Sequence, residues 1–229
     1  MNAPATTTKF LGLFKRQERW GLSRRGWLFL LVLAVTAFLI SLFGLCPFLS
    51  TSQPVPSRVL AVDGWMADYA LEQALREFKA HGYEMLIVTG PPLLKGYHLS
   101  EYKSFAHIGA ATLLKLGLDE KTLAVVPSPD TRKDRTYLAA LNVKTWLRTH
   151  RPAETSLNVL TVGPHARRTR LLYEKALGSQ FTVGVIAAED RDYDTRAWWK
   201  SSQGFRTVTG ELIAYAYARL WVWLPRQPD

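Results

Sequence analysis

"RVLAVDGWMADYALEQALREFKAHGYEMLIVTG", residues 58 to 90, decides the fold. Its two ends, RVLAVDG and EMLIVTG, are short runs rich in Val, Ile and Leu, and each closes on a glycine. Between them Tyr69, Leu71, Leu75 and Phe78 recur at helical spacing, while Glu72, Arg76 and Lys79 fall on the other side. The pattern is strand, amphipathic helix, strand. Strands that are apolar throughout, without polar alternation, belong to a parallel sheet covered on both faces.

The same unit continues outward. TLAVVPS (122–128), LNVLTVG (157–163) and FTVGVIA (181–187) are three more strand-like runs closed by Gly, Ser or Ala. SEYKSFAHIGAATLLKLG, RKDRTYLAALNVKTWLRTH and ARRTRLLYEKALG separate the runs with helical periodicity. Five such strands predict an α/β domain: a Rossmann-like open, mainly parallel sheet with helices on both faces, over residues 58–229.

Ahead of this domain, Gly26 to Leu49 forms an uncharged apolar block long enough to cross a bilayer as a helix. It is about twice the length of a signal-peptide core and lacks a small-x-small cleavage site, which favours an uncleaved anchor. Lys9, Lys15, Arg16, Arg19, Arg24 and Arg25 precede it, against the single acid Glu18. Residues 1–25 therefore read as a cytoplasmic basic tail and the domain as extracytoplasmic, with Trp20 and Trp27 at the level of an aromatic belt. Ser50 to Ser57, polar and proline-containing, reads as a short extended spacer.

The formal net charge of +10 is about half explained by that tail, so nucleic-acid binding is not expected. Cys46 is the only cysteine, so the domain must be held by its core and not by an intrachain disulfide. Dinucleotide fingerprint, Walker A, nucleophile elbow and Cys/His metal spacing are all missing from the sequence.

In an open parallel sheet the ligand site lies beyond the carboxyl ends of the strands. Those ends supply Asp63, Gly64 and Trp65; Gly90 with Ser100 and Glu101; Ser128, Asp130, Thr131 and Asp134; His165 and Arg168; and Glu189 and Asp190. Several are also good helix caps: Asp63, Ser100 with Glu101, and Asp130 or Thr131. His165 is a poor cap residue. Together with Arg168 at a helix start, it makes a site suited to phosphate or carboxylate. Arg167, Arg168 and Arg170 cannot all face one way, so at least one is expected in solvent. The expected binding residues are Gly64, Gly90, Ser100, Ser128, Thr131, Asp134 and Arg168, with His165 as acid or base and Glu101 or Asp63 orienting it or a water.

These elements resemble the domain-of-unknown-function 218 (DUF218) proteins, also called the ElyC/SanA/YdcF family. The likeness spans roughly Val59 to Leu220. It rests on AVDGW, LIVTG, the pair Ser100 and Glu101, Ser128 and Thr131 in SPDTRKD, and His165 and Arg168 in HARR. Asp134 stands where the family has Asn, and Asp63 and Trp65 stand where it tends to glycine.

The resemblance implies a single-pass protein of the bacterial inner membrane with a periplasmic domain, connected with cell-envelope, peptidoglycan or lipid-carrier metabolism. Its expected ligand is an anionic, phosphorylated or lipid-linked molecule. Two alternatives stand beside it: a binder of S-adenosylmethionine or a nucleotide-like ligand, and a non-enzymatic scaffold. For the scaffold, Trp198, Trp199, Trp221 and Trp223 beside Arg219 and Arg226 supply aromatic surface, although core packing accounts for most of them.

Overall fold

The computed structural model describes residues 22–131 and 133–220, with the backbone of two short paired strands, β1 (Thr8–Lys9) and β2 (Phe14–Lys15). Arg16, Arg19 and Trp20 of the basic tail, and Trp221, Trp223 and Arg226, lie outside the described residues. The chain divides into two units, Met1–Ser41 and Leu42–Asp229.

The first unit is dominated by helix α1 (Arg24–Leu49), whose last two turns belong to the second unit. At 26 residues α1 is about 39 Å long, and it is apolar enough to cross a membrane. The large apolar side chains from Trp27 to Ile40 are exposed.

The second unit alternates as the sequence predicts: β3 (Val59–Asp63), α2 (Asp68–Ala80), β4 (Met85–Gly90), α3 (Phe105–Lys115), β5 (Leu123–Pro127), α4 (Arg135–His150), β6 (Ser156–Val162), α5 (His165–Leu177) and β7 (Thr182–Ala188). A 3-10 turn (Thr195–Lys200) and helix α6 (Ser202–Leu220) follow. All five strands are parallel, in the order β5-β4-β3-β6-β7. The chain moves outward from β3 first on one side and then on the other, so the order reverses between β3 and β6.

Successive side chains of a strand point to opposite faces. Val59, Ala61, Ile87 and Val159 accordingly enter one core with Tyr137, Val143, Leu147, Leu172 and Tyr173 of α4 and α5. Leu60, Val62, Leu86 and Val88 enter the other with Leu71, Phe78 and Leu113 of α2 and α3. Both faces are dry, which is why the central strands carry no polar alternation.

Residues 50–57, expected as a short extended spacer, are docked along the domain. Gln53 pairs with Val185 on the edge of β7, and the Ser52 hydroxyl accepts from Ala187 N. Asn158, buried in β6, binds both Val55 backbone groups and the Tyr83 hydroxyl. This stem runs antiparallel to β7, so the chain enters the domain at the carboxyl edge of the sheet. The last turns of α1 pack into the same unit: Cys46 and Leu49 lie against Tyr193, Trp198 and Val208, and Trp198 Nε1 donates to Leu42 O at 2.9 Å. Trp198 is thus a core residue.

One helix start differs from expectation. The helix expected to open at Ser100 and Glu101 opens at Phe105, because Ser104 is the residue whose hydroxyl accepts from the His107 amide.

Candidate functional site

A cleft of about 1070 Å³ lies over the carboxyl ends of the strands, and its lining includes the turns after β3 and β6 where the strand order reverses. Asp63 and Trp65 after β3, Gly90 after β4, Asp134 and Arg135 at the start of α4, His165 and Arg168 at the start of α5, and Glu211 of α6 all line it. Lys95, Phe105, Leu172 and Ala214 add a mixed basic and apolar wall.

The centre is a triad of His165, Arg168 and Glu211. Arg168 Nε donates to Glu211 Oε2 at 2.8 Å and Nη2 to Oε1 at 3.0 Å, a two-point ion pair. His165 Nδ1 lies 2.9 Å from Glu211 Oε1 and 2.9 Å from Arg168 Nη2. In one tautomer the Nδ1 hydrogen is donated to the carboxylate; in the other Nδ1 accepts from the guanidinium. The ring can therefore exchange tautomers without turning. Its Nε2 then presents either a lone pair or an N–H, which is what a group serving as both base and acid requires. Trp65 meets the imidazole edge-on, with ring centroids 5.4 Å apart.

The carboxylate within this triad and the one beside it, Asp63, have opposite electrostatics. Burial alone would raise the Glu211 pKa, but hydrogen bonds and charge from His165 and Arg168 outweigh it and hold it at about 2. Asp63 is 5% exposed, and there burial prevails, raising its carboxyl above the usual range against the pull of His165, the Thr161 hydroxyl and Arg168. Thr161 Oγ1 donates to Asp63 Oδ2 at 2.9 Å. Beneath them Tyr173 is wholly buried, and its hydroxyl has no partner among the described residues.

The remaining expected residues divide. Gly64 and Gly90 are needed for close approach: a Cβ on Gly64 would sit 2.3 Å from Phe105 O, and one on Gly90 3.0 Å from Ala106 N. Asp134 lines the cleft in a left-handed conformation, φ 53°, and caps α4 without a side-chain bond. Ser128 is buried, its hydroxyl has no partner among the described residues and it does not line the cleft, and Thr131 closes a local turn with Lys133. Ser100 and Glu101 lie on the loop between β4 and α3, away from the lining; Ser100 accepts from Tyr102 N there. Asp190 after β7 accepts from Asp192 N, and Glu189 pairs with Arg191.

The other two arginines of HARRTR have structural partners in place of solvent. Arg167 Nε donates to Phe48 O and its guanidinium lies over the Phe48 ring, while Arg170 binds Gln53 and Glu174. Glu211 is the candidate residue that the sequence reading missed. Its signal was faint but present: it is the single acid in the whole of α6, and a lone carboxylate in an apolar helix is costly unless paired.

Comparison with family models, with curated proteins and with solved structures finds no match to this chain.

Proposed function

We propose that this chain is a membrane-anchored envelope protein of the DUF218 kind that binds and processes a phosphorylated cell-envelope or lipid-carrier intermediate, with its domain outside the cytoplasm. The observation that carries this reading is the coincidence of two features on one edge. The stem leading from the apolar helix enters the domain at the carboxyl edge of the sheet, and the cleft opens over that same edge. A lipid-borne ligand is confined near the surface in which such a helix is anchored.

The chemistry is compatible. Arg168 uses Nε and Nη2 on Glu211, and its Nη1, without a partner among the described residues, is the group offered to an anion, with Lys95 and Arg135 as further cations on the wall. His165, steered by Glu211, is the group that moves a proton, and Asp63 is a second carboxyl beside it that holds its proton unusually well. Basic residues on the N-terminal side of the apolar helix support the orientation.

The test is binding of a polyprenyl phosphate to the full chain in lipid nanodiscs. His165→Ala and Arg168→Lys are each expected to weaken it about tenfold or more, the loss of one charge-assisted hydrogen bond. Equal binding by wild type and both variants would remove the site. Binding of S-adenosylmethionine in place of the lipid phosphate would replace the ligand class.

A further inference from the structure

The loop between β4 and α3, residues 91–104, is ordered by its own hydrogen bonds. Leu93 N donates to Lys103 O at 3.1 Å, Phe105 N to Pro91 O at 3.0 Å, and Pro92 bridges Ser104. At the far end Leu99 N and Ser100 N both donate to Gly96 O, and Lys103 Nζ ties the Tyr97 and Ser100 carbonyls together at 2.8 and 3.0 Å. The loop is therefore a shaped projection. It nevertheless spends that shape on holding apolar groups in water: Leu94 is 73% exposed and Leu99 94%, with Tyr97 and Tyr102 each at 42%. An ordered apolar tip left in water marks an interaction surface.

We propose that this loop is a bilayer-contacting element, in which Leu94, Leu99 and the two tyrosines enter the interface of an anionic membrane and Lys95 meets its phosphates. Three observations select a bilayer over a protein partner. Lys95 and Lys103 against the single acid Glu101 give the loop a net positive charge, which matches anionic headgroups. Tyrosines belong at the boundary between acyl chains and water. The chain also carries a helix able to cross a membrane, and its stem joins the sheet at the edge from which this loop projects. Since Leu94 and Lys95 also line the cleft, a loop seated in the interface opens the cleft toward lipid headgroups. Of these residues only Lys95 also belongs to the wall proposed to hold an anion, and Leu94, Leu99 and the two tyrosines act whatever the ligand.

The experiment places a polarity-sensitive fluorophore at Leu99→Cys in the full chain, with Cys46→Ser removing the only native cysteine. A second label at Lys121→Cys, beside the amino end of β5, is the control. Both proteins go into nanodiscs of phosphatidylglycerol and phosphatidylcholine in equal parts, with nitroxide lipids as quenchers, and into a lipid-free amphipathic polymer. The expected result is blue-shifted, lipid-quenched emission at position 99 in nanodiscs only, with position 121 unchanged. Lys95→Glu lowers the inserted population about fivefold or more. Water-like emission at position 99 in nanodiscs overturns the proposal. So does an equal shift in the polymer, which would mean that the tip packs on the protein itself.

Discussion

Arg168 and Glu211 meet in a two-point ion pair that joins the first turn of α5 to α6, with contacts of 2.8 and 3.0 Å. Both side chains are 18% exposed, so the pair is largely withdrawn from water, and His165 shares it through Nδ1. This contact orients the imidazole, neutralises much of the guanidinium and, with the Lys175 bond to Ala218 O, holds α6 over the cleft.

Glu211→Gln should therefore cost stability in a pH-dependent way. The drop of its pKa from an ordinary 4.5 to about 2 corresponds to on the order of 3 kcal/mol. Because the folded value lies below the unfolded one, this contribution is fully present above pH 4.5 and is lost as the pH falls toward 2. Urea unfolding of wild type should weaken across that window, and the Gln variant should start lower and vary less. Parallel curves for the two proteins would contradict the pairing.

Asp63→Asn should act in the opposite sense. A raised carboxyl pKa means that the folded state holds the proton more tightly than the unfolded chain, so the ionised side chain costs stability above the folded pKa and the cost disappears as pH falls through it. The amide keeps an acceptor for Thr161 and carries no charge. Thermal melts at neutral pH should show the variant at least as stable as wild type, while the acidic limb of the profile flattens. Strong destabilisation at pH 7 would show that Asp63 is ionised and paired.

Gly64→Ala should be poorly tolerated. Its new methyl would lie 2.3 Å from Phe105 O, and Gly109 reaches the same place from α3, where a Cβ would be 2.7 Å from Gly64 Cα. Neither neighbour is a flexible side-chain end, so α3 must shift. A loss of about 3 kcal/mol is expected in equilibrium unfolding, and a well-folded variant of wild-type stability would rule out this close approach.

Asn158→Leu should release the stem. The change leaves Val55 N and O without partners, at about 1–3 kcal/mol each where they stay buried, and removes the donor to the Tyr83 hydroxyl, which keeps only its longer bond to Glu77. Limited proteolysis should then cut within residues 50–57, which the wild type protects. Gly184→Ala should do the same, since its Cβ would fall 1.9 Å from Asn158 Oδ1. Equal protection in all three proteins would mean that the stem is held elsewhere.

The strands were legible because the sheet is buried on both sides: VLAV, MLIV and LNVLTV announce themselves through composition alone. His165 and Arg168 were legible as candidates because they follow an apolar run by one turn of chain. Glu101 was legible only as one more acid after a strand, and the helix it was expected to open begins four residues later, at Phe105. Glu211, which supplies the carboxylate beside His165, lies 46 residues further along the chain.

Sequence by itself determined the alternation of elements, the apolar helix and the edge of the sheet at which chemistry should gather, since periodicity and hydrophobicity are properties of neighbouring residues. Only the tertiary structure decided that α6 brings Glu211 to His165, that Arg167 holds the end of α1 and Arg170 the stem while Arg168 turns inward, and that residues 50–57 dock on β7. Those contacts join positions far apart in the chain, and their geometry comes from how helices settle on a twisted sheet, which no local pattern encodes.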